Sequence, residues 1–328
     1  MKYLKTSIPV QQLANGEILT IQTHTFMGNK PGPTIYLQGN LHGPEVFGTA
    51  LLLELIQVIK KNEHIKGKII IVPCANPMGV NQVSYNGIIG RWNQQSGNNW
   101  NRIFPTSPLK DHHEELLFNK KIQTDKNLSI ESRLAAILRS LSARADYVLD
   151  IHTTGSQNAE HIFTYSWMHE TFSSLNVPIH LELDPKNTVG AFDESHVLPF
   201  LESLSRDKIP NVATWEAYHH GHIDSLILNQ RLSQILGWLD IIWGKKMLHK
   251  PRPMIYSKST HLYAPAAGYY SWIKKVGDHI KVGDIYAIIY QPLEGKSLFI
   301  KAKFSFTLLA IYGITATADG EQIGWVAY

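Results

Sequence analysis

Apolar residues fall into two rhythms over the first three quarters of the chain. Compact apolar runs bounded by Gly, Pro or Asn predict strands over residues 34–37, 68–72, 146–151, 161–167 and 211–215. Apolar residues at helical spacing predict helices over 46–61 (Leu52, Leu55, Ile56 and Ile59 on one face), 132–143, 197–204 and 225–246. Ahead of them, residues 1–30 read as short extended segments that turn at Asn15-Gly16 and Gly28-Asn29, and Pro44 suits the first position of the first helix. Strands alternating with helices predict an α/β domain: a mixed, largely parallel sheet flanked by helices.

Two stretches break the rhythm. Residues 77–110 are rich in Asn, Gly, Gln and Pro without periodicity, and the aromatic residues Tyr85, Trp92 and Trp100 within them argue for an ordered, functional loop. Past Pro251 and Pro253 helical periodicity stops and Tyr, Ile, Val and Gly take over. There WIKKVGDHIKVGDIYAII and LLAIYGITATADGEQIGWVAY form two weak copies of one β unit, offset by about 36 residues from Gly277 to Gly313. The expected division is an α/β domain over 1–250 and a small all-β domain over 251–328.

Composition narrows the function. At 328 residues and 44% hydrophobic content the chain can bury a substantial core, and a net charge of +4 with scattered basic residues gives no nucleic-acid footprint while favouring an anionic small substrate. The single cysteine, Cys74 in KIIIVPCANP, excludes an internal disulfide and reads as a small buried hydrophobe. With no apolar run of membrane length and no signal-peptide core in MKYLKTSIPVQQ, a soluble, cytoplasmic protein is expected. The oligomeric state is left open. Sixteen His tilt the balance toward metal chemistry.

The stretch GNLHGPEVFG sets His42 and Glu45 three positions apart between a strand and a helix. One turn brings an imidazole nitrogen and a carboxylate oxygen to the same side, which suits two zinc ligands. His152 ends the strand of YVLDIHTTGS and Glu216 follows the strand PNVATW, so His42, His152 and Glu216 all fall at carboxyl ends of strands, where α/β sheets gather ligands. His219, His220 and His222 in AYHHGHID lack the carboxylate or cysteine pattern of a second metal site and are expected to line the pocket, with Tyr218 as a substrate contact. Lys296 in EGKS sits near where a biotinyl or lipoyl carrier places its modified lysine, but without that context it reads as unmodified.

GNLHGPE, NPMG, NWNRIFP, DIHT and TWEA, in that order over about residues 34–245, resemble the succinylglutamate desuccinylase/aspartoacylase family of the zinc carboxypeptidase superfamily. The C-terminal segment is similar to the barrel-sandwich β domain attached to bacterial members. The resemblance implies a zinc-carboxypeptidase-like fold and one Zn²⁺ per chain, held by His42, Glu45 and His152 with a fourth position for water. It implies Glu216 as general base, and Asn101 with Arg102 as a clamp on a substrate carboxylate, a task the guanidinium fork suits. Arg91 is the candidate for steadying the oxyanion of the tetrahedral intermediate. One departure stands out: Asn99 occupies the place of the family's Asp, which orients the first zinc histidine, and loss of such a carboxylate reduces metal affinity or activity by roughly 10- to 100-fold unless another acid such as Asp150 compensates.

The function so implied is a zinc-dependent deacylase acting on an N-acylated amino acid or similar small carboxylate. The alternative is a metallocarboxypeptidase on short peptides or peptidoglycan stems, which requires an open groove in place of a capped pocket. The non-enzymatic alternative is a binding protein with a decayed site, for which Asn99 is the only support.

Overall fold

A computed structural model describes residues 1–61, 65–84, 87–246, 251–313 and 315–328, so Tyr85 lies outside the described residues. Nine strands build the large sheet: β1 (Lys2–Gln12), β2 (Ile18–Met27), β3 (Lys30–Gly39), β4 (Lys66–Val72), β5 (Tyr147–Thr153), β6 (His161–Thr164), β7 (Ile179–Glu182), β8 (Asn211–Tyr218) and β9 (Met254–Tyr256). Their spatial order is β1-β2-β4-β3-β5-β8-β6-β7-β9. The pairs β4–β3, β3–β5, β5–β8, β6–β7 and β7–β9 are parallel, and β1–β2, β2–β4 and β8–β6 antiparallel, so the sheet is mixed and largely parallel. Residues 35–39 of β3 and 148–153 of β5 are buried without a break. Alternate residues point to opposite faces, so unbroken burial means that both faces are covered.

The long helices are α1 (Phe47–Lys60), α2 (His112–Thr124), α3 (Ile130–Ser142) and α4 (Ser225–Ile242). α1 buries Leu51, Leu52, Leu55, Ile56 and Ile59 and packs against α4. It starts at Phe47, later than the pattern predicts. The backbone N–H of Glu45 donates to the His42 carbonyl at 3.2 Å, closing a separate turn that holds Pro44 outside the helix.

α2 has no counterpart among the predicted helices, and its composition explains why. Its buried residues are Glu115 and Asn119, not an apolar stripe, and it docks on α3 through an ion pair between Glu115 and the buried Arg139. The strand expected over 161–167 stops at Thr164 and gives way to a 3₁₀ turn at Ser166–Met168. The helix expected over 197–204 is a helical turn at Glu194–Val197 followed by the 3₁₀ turn Leu198–Phe200, where Pro199 supplies no N–H to continue an α-helix.

After β9 has extended the large sheet, the chain forms β10 (Ser259–Tyr263), β11 (Gly268–Trp272), β12 (His279–Ile280), β13 (Ile285–Gln291), β14 (Lys296–Lys301), β15 (Phe306–Ile311), β16 (Ala316–Thr317) and β17 (Gln322–Ala327). They make two sheets, β10-β17-β15-β12 and β14-β13-β11-β16, around a core that includes Tyr270, Ile280, Tyr286, Ile289, Phe306, Leu308, Ile323 and Val326. β11–β13 and β15–β17 repeat one long-short-long pattern, matching the two copies in the sequence. Lys296 opens the exposed strand β14.

The two parts are joined through backbone and core. Gln157–Asn158 pairs with Ala310 and Ile311 of β15. Ile179, Leu181, Leu309 and Ala327 form an apolar seam against which Phe163, Tyr256 and Trp325 pack. That seam carries the C-terminal strands over the carboxyl edge of the large sheet.

Candidate active site

β3, β5 and β8 lie side by side, which brings the expected residues to one edge. Glu216 is the parallel neighbour of His152, and Gly39, at the end of β3, is the neighbour of Ile151. The turn after β3 aims His42. Asn40 takes the left-handed conformation at φ 58°, which Asn tolerates better than most residues, and its Nδ2 donates to the carbonyls of His42 (2.8 Å) and Gly43 (2.9 Å). Gly43 allows the turn to press against Gly79 and Gly90: a Cβ there would lie 2.2 Å from the Gly79 carbonyl oxygen.

His42, Glu45 and His152 converge with one ligand atom each, all within 4.8 Å of one another and all buried. Nδ1 of His42 is 2.8 Å from Glu45 Oε1, and Nδ1 of His152 is 2.8 Å from Glu45 Oε2. Glu45 also accepts from Arg91 Nη1 and from the Thr153 backbone N–H, each at 3.0 Å. Burial would raise the Glu45 carboxyl, but the charges of His42 and His152 and their hydrogen bonds override it and hold it well below the usual range. Burial likewise pulls both imidazoles down. In His42 it prevails, whereas in His152 the carboxylates of Asp150 and Glu45 win and the ring sits well above its ordinary value.

The outer nitrogens define what this group can hold. His42 Nε2 is 2.8 Å from Asn99 Oδ1, and His152 Nε2 is 2.8 Å from Asp150 Oδ2. With Nε2–H donated outward to these acceptors, either ring in its neutral form would turn the lone pair of Nδ1 toward the Glu45 carboxylate. Two lone pairs and a carboxylate converging on one point need a cation between them, either protons on the rings or a metal ion, and the three ligand atoms within 4.8 Å fit the latter. Asp150 serves His152 alone: its other oxygen accepts from Gln38 Nε2 at 3.0 Å, and Tyr36 donates to Gln38 Oε1 at 2.9 Å. It makes no contact with His42, so it does not compensate for Asn99.

A cavity of about 280 Å³ opens on this group, bounded by Arg91, Asn101, Arg102, Asp193, Thr214 and Glu216. Glu216 is half-buried with its Oε2 closed to solvent and free of any hydrogen-bond donor. Burial first, then the Glu45 charge, push its carboxyl up to about 8. Asn101 is braced: its Oδ1 accepts from the Phe192 N–H at 2.8 Å, and its carbonyl accepts from Arg102 Nη1 at 2.5 Å. The Arg102 side chain remains open to the cavity.

Tyr218 is not brought to the cavity. A register shift between Glu216 and Tyr218 in the β8–β5 pairing breaks the alternation that would put both on one face, and Tyr218 packs on Phe47 and His219. The three histidines beyond it scatter. His220 Nδ1 meets Thr153 Oγ1 at 2.8 Å, His219 and His222 stack with ring centroids 5.8 Å apart, and no second metal-holding group forms among the described residues. Cys74 donates to Asn40 Oδ1 at 3.5 Å, with its thiol pushed up to about 11 by burial, which removes it as a nucleophile.

Sequence reasoning missed one wall. His261, Tyr312 and Trp325 of the C-terminal segment line one side of the cavity, with Tyr312 Oη 3.0 Å from His261 Nδ1. Nothing local in the sequence ties them to His152, more than a hundred positions earlier. The seam at Leu309 and Ala327 does.

Fold and site define the class: an α/β protein with a His–Glu–His group that could hold a metal at the carboxyl edge of its sheet. Residues 31–183 match the family model described as the succinylglutamate desuccinylase/aspartoacylase catalytic domain, so over that segment the chain is similar to a family of deacylase-type hydrolases. Solved structures share the whole fold. A provisionally named succinylglutamate desuccinylase/aspartoacylase of Shewanella frigidimarina NCIMB 400 superposes with TM-score 0.90 at 23% identity, covering 99% of this chain and 97% of that one. A family protein of Shewanella amazonensis SB2B gives 0.88 at 23%, covering 98% of each. The product-bound ectoine utilization protein EutE (DoeB) of Ruegeria pomeroyi gives 0.74 at 17%, covering 99% and 94%. No curated protein matches the chain. Among the described residues no helix is long and apolar enough to cross a membrane.

Proposed function

We propose that the chain is a zinc-dependent amide hydrolase that removes the acyl group from an N-acylated amino acid or a related small carboxylate. The observation that carries this is the small size of the cavity. It places the His42–Glu45–His152 group, an unpaired carboxyl and two arginines in about 280 Å³ beside a wall of C-terminal side chains, at the small end of ligand pockets. A space of that size suits an N-acyl amino acid better than a peptide chain.

Zinc held by His42 Nδ1, Glu45 and His152 Nδ1 would supply a Lewis acid that polarises the acyl carbonyl and lowers the pKa of its water to about 7. Glu216 takes the proton of the attacking water and returns it to the leaving amine; its raised pKa suits a group that must hold and release a proton near neutrality. Arg91, anchored on Glu45 beside the cavity, lends positive charge to the developing oxyanion. Arg102 grips the substrate carboxylate while the Asn101 amide, its oxygen fixed on the Phe192 N–H, presents Nδ2.

Metal analysis of the purified chain, with assays on N-acetylaspartate, N-succinylglutamate and C-terminal dipeptides, tests this against Glu216→Ala. One zinc per chain is expected, with hydrolysis of the N-acyl amino acids and a fall of roughly 10²- to 10⁴-fold in the variant. Absence of zinc, or activity unchanged by Glu216→Ala, overturns the proposal. Dipeptide cleavage alone transfers it to the carboxypeptidase alternative.

A further inference from the structure

Buried acceptors gather where β8 meets β6. Glu216 lies directly opposite His161 in the antiparallel register, and opposed residues set their side chains on one face with Cβ atoms about 4.5–5.5 Å apart. Glu216 Oε2 and His161 Nε2 are both closed to solvent and both lack a hydrogen-bond partner. The His161 tautomer follows from its other nitrogen. Nδ1 is 2.7 Å from the Ala159 carbonyl, which can only accept, so Nδ1 carries the proton and the neutral ring keeps a lone pair on Nε2. Phe163 and Trp325 hold the imidazole in place, edge-to-face at 5.3 and 5.6 Å. Asn158 adds a third acceptor: its Nδ2 donates to the Glu216 backbone carbonyl at 3.0 Å, and its Oδ1 is buried without a donor.

Buried polar groups are almost always satisfied, yet in the ionised form that acts as base the Glu216 carboxylate only accepts, and two acceptors cannot satisfy each other. A water molecule can, because it has two hydrogens to give and needs only a few polar partners to be held. We infer that His161 is a positioning residue for Glu216, acting through one shared water that donates to His161 Nε2 and to Glu216 Oε2. The contact fixes the rotation of the carboxylate, and with it the aim of the oxygen that exchanges protons with substrate. This rests on Glu216 being the general base. The apolar clamp on His161 includes Trp325, so the C-terminal strands would tune the base as well as line the cavity.

The test uses the full-length zinc-loaded chain, with whichever of N-acetylaspartate and N-succinylglutamate it turns over. His161→Phe keeps the ring and removes the acceptor, and His161→Gln keeps an acceptor. The Phe variant should lose on the order of 10-fold or more in kcat, since misplacing a reacting group by a fraction of an ångström carries costs of that order. KM should stay within about twofold, and the acid limb of the pH profile should move to higher pH because the carboxylate has lost a donor. His161→Gln should recover most of kcat. A Phe variant with the kcat and pH profile of the parent overturns the inference, as do Phe and Gln variants that lose activity equally. A crystal structure of the unmodified chain gives a readout independent of turnover: an ordered water within hydrogen-bonding distance of both atoms supports the inference, and its absence from well-defined density overturns it. Activity surviving in Glu216→Ala would instead remove the base assignment, leaving the crystallographic water to decide the contact by itself.

Discussion

Asn99 offers the most direct way to measure how the protein controls its proposed metal. Its Oδ1 lies 2.8 Å from His42 Nε2 and also accepts the Asn101 N–H at 2.8 Å, so Asn99→Asp can keep both contacts and add one negative charge. A neutral hydrogen bond contributes about 0.5–1.5 kcal/mol net, and one to a charged group about 1.5–3. The gain is then about 1–2 kcal/mol, or roughly 5- to 30-fold in zinc affinity, which overlaps the 10- to 100-fold range known for such partners of metal-bound histidines. The charge acts by making the imidazole a stronger donor at Nδ1, the nitrogen that faces Glu45. Chelator competition at fixed pH and ionic strength should show tighter zinc in Asn99→Asp and weaker zinc in Asn99→Ala. If Asn99→Asp stays within about twofold of the parent, less than about 0.4 kcal/mol, the contact does not tune His42 and the reasoning fails.

Two further predictions concern stability. Glu115→Gln should strand the buried Arg139 charge and cost about 3–5 kcal/mol, measured by urea unfolding, whereas replacing both partners by apolar residues of similar volume should recover most of the loss. Burial lowers His161 to about 4, so as pH falls from 6.5 toward 4 the unfolded chain takes up this proton before the folded one, and stability drops. Relative to the parent, His161→Phe should therefore gain about 3 kcal/mol between pH 7 and pH 4, and a pH-independent difference would refute the shift. Asp193, pushed up to about 6 mainly by burial, contributes the opposite sign: its folded form takes up the proton first, so it offsets part of the loss in both proteins and cancels from their difference.

The sheet was legible because its central strands are buried on both faces and therefore appear as unbroken apolar runs: residues 34–37 and 68–72 sit inside β3 and β4, and 146–151 overlaps most of β5. α1 and α3 were legible through their apolar faces. α2 was not, because the force that docks it is the charge pair of Glu115 with Arg139, and a helix whose buried residues are Glu and Asn has no apolar stripe to detect. β7 and β9 escaped for a different reason. Each is only a few residues long, and each owes its place to pairing with a neighbour distant in sequence.

The same division between local and distant causes runs through the site. His42 and Glu45 could be paired from sequence because a single turn joins them, and the Asp150–His152 hydrogen bond was open to the same logic, since alternate residues of a strand share a face. Tyr218 invited that inference too, two residues after Glu216, and there it failed: a one-residue register shift is enough to turn a side chain away, and no residue type in the segment announces the shift. The C-terminal wall was harder still. Trp325 reaches the cavity only because Leu309 and Ala327 bury themselves against Ile179 and Leu181, so a substrate-facing wall depends on an apolar seam that touches no substrate. Substitutions in that seam should therefore act on turnover through His261, Tyr312 and Trp325 while leaving the metal-holding group intact, because that group is anchored on β3 and β5 at the centre of the large sheet.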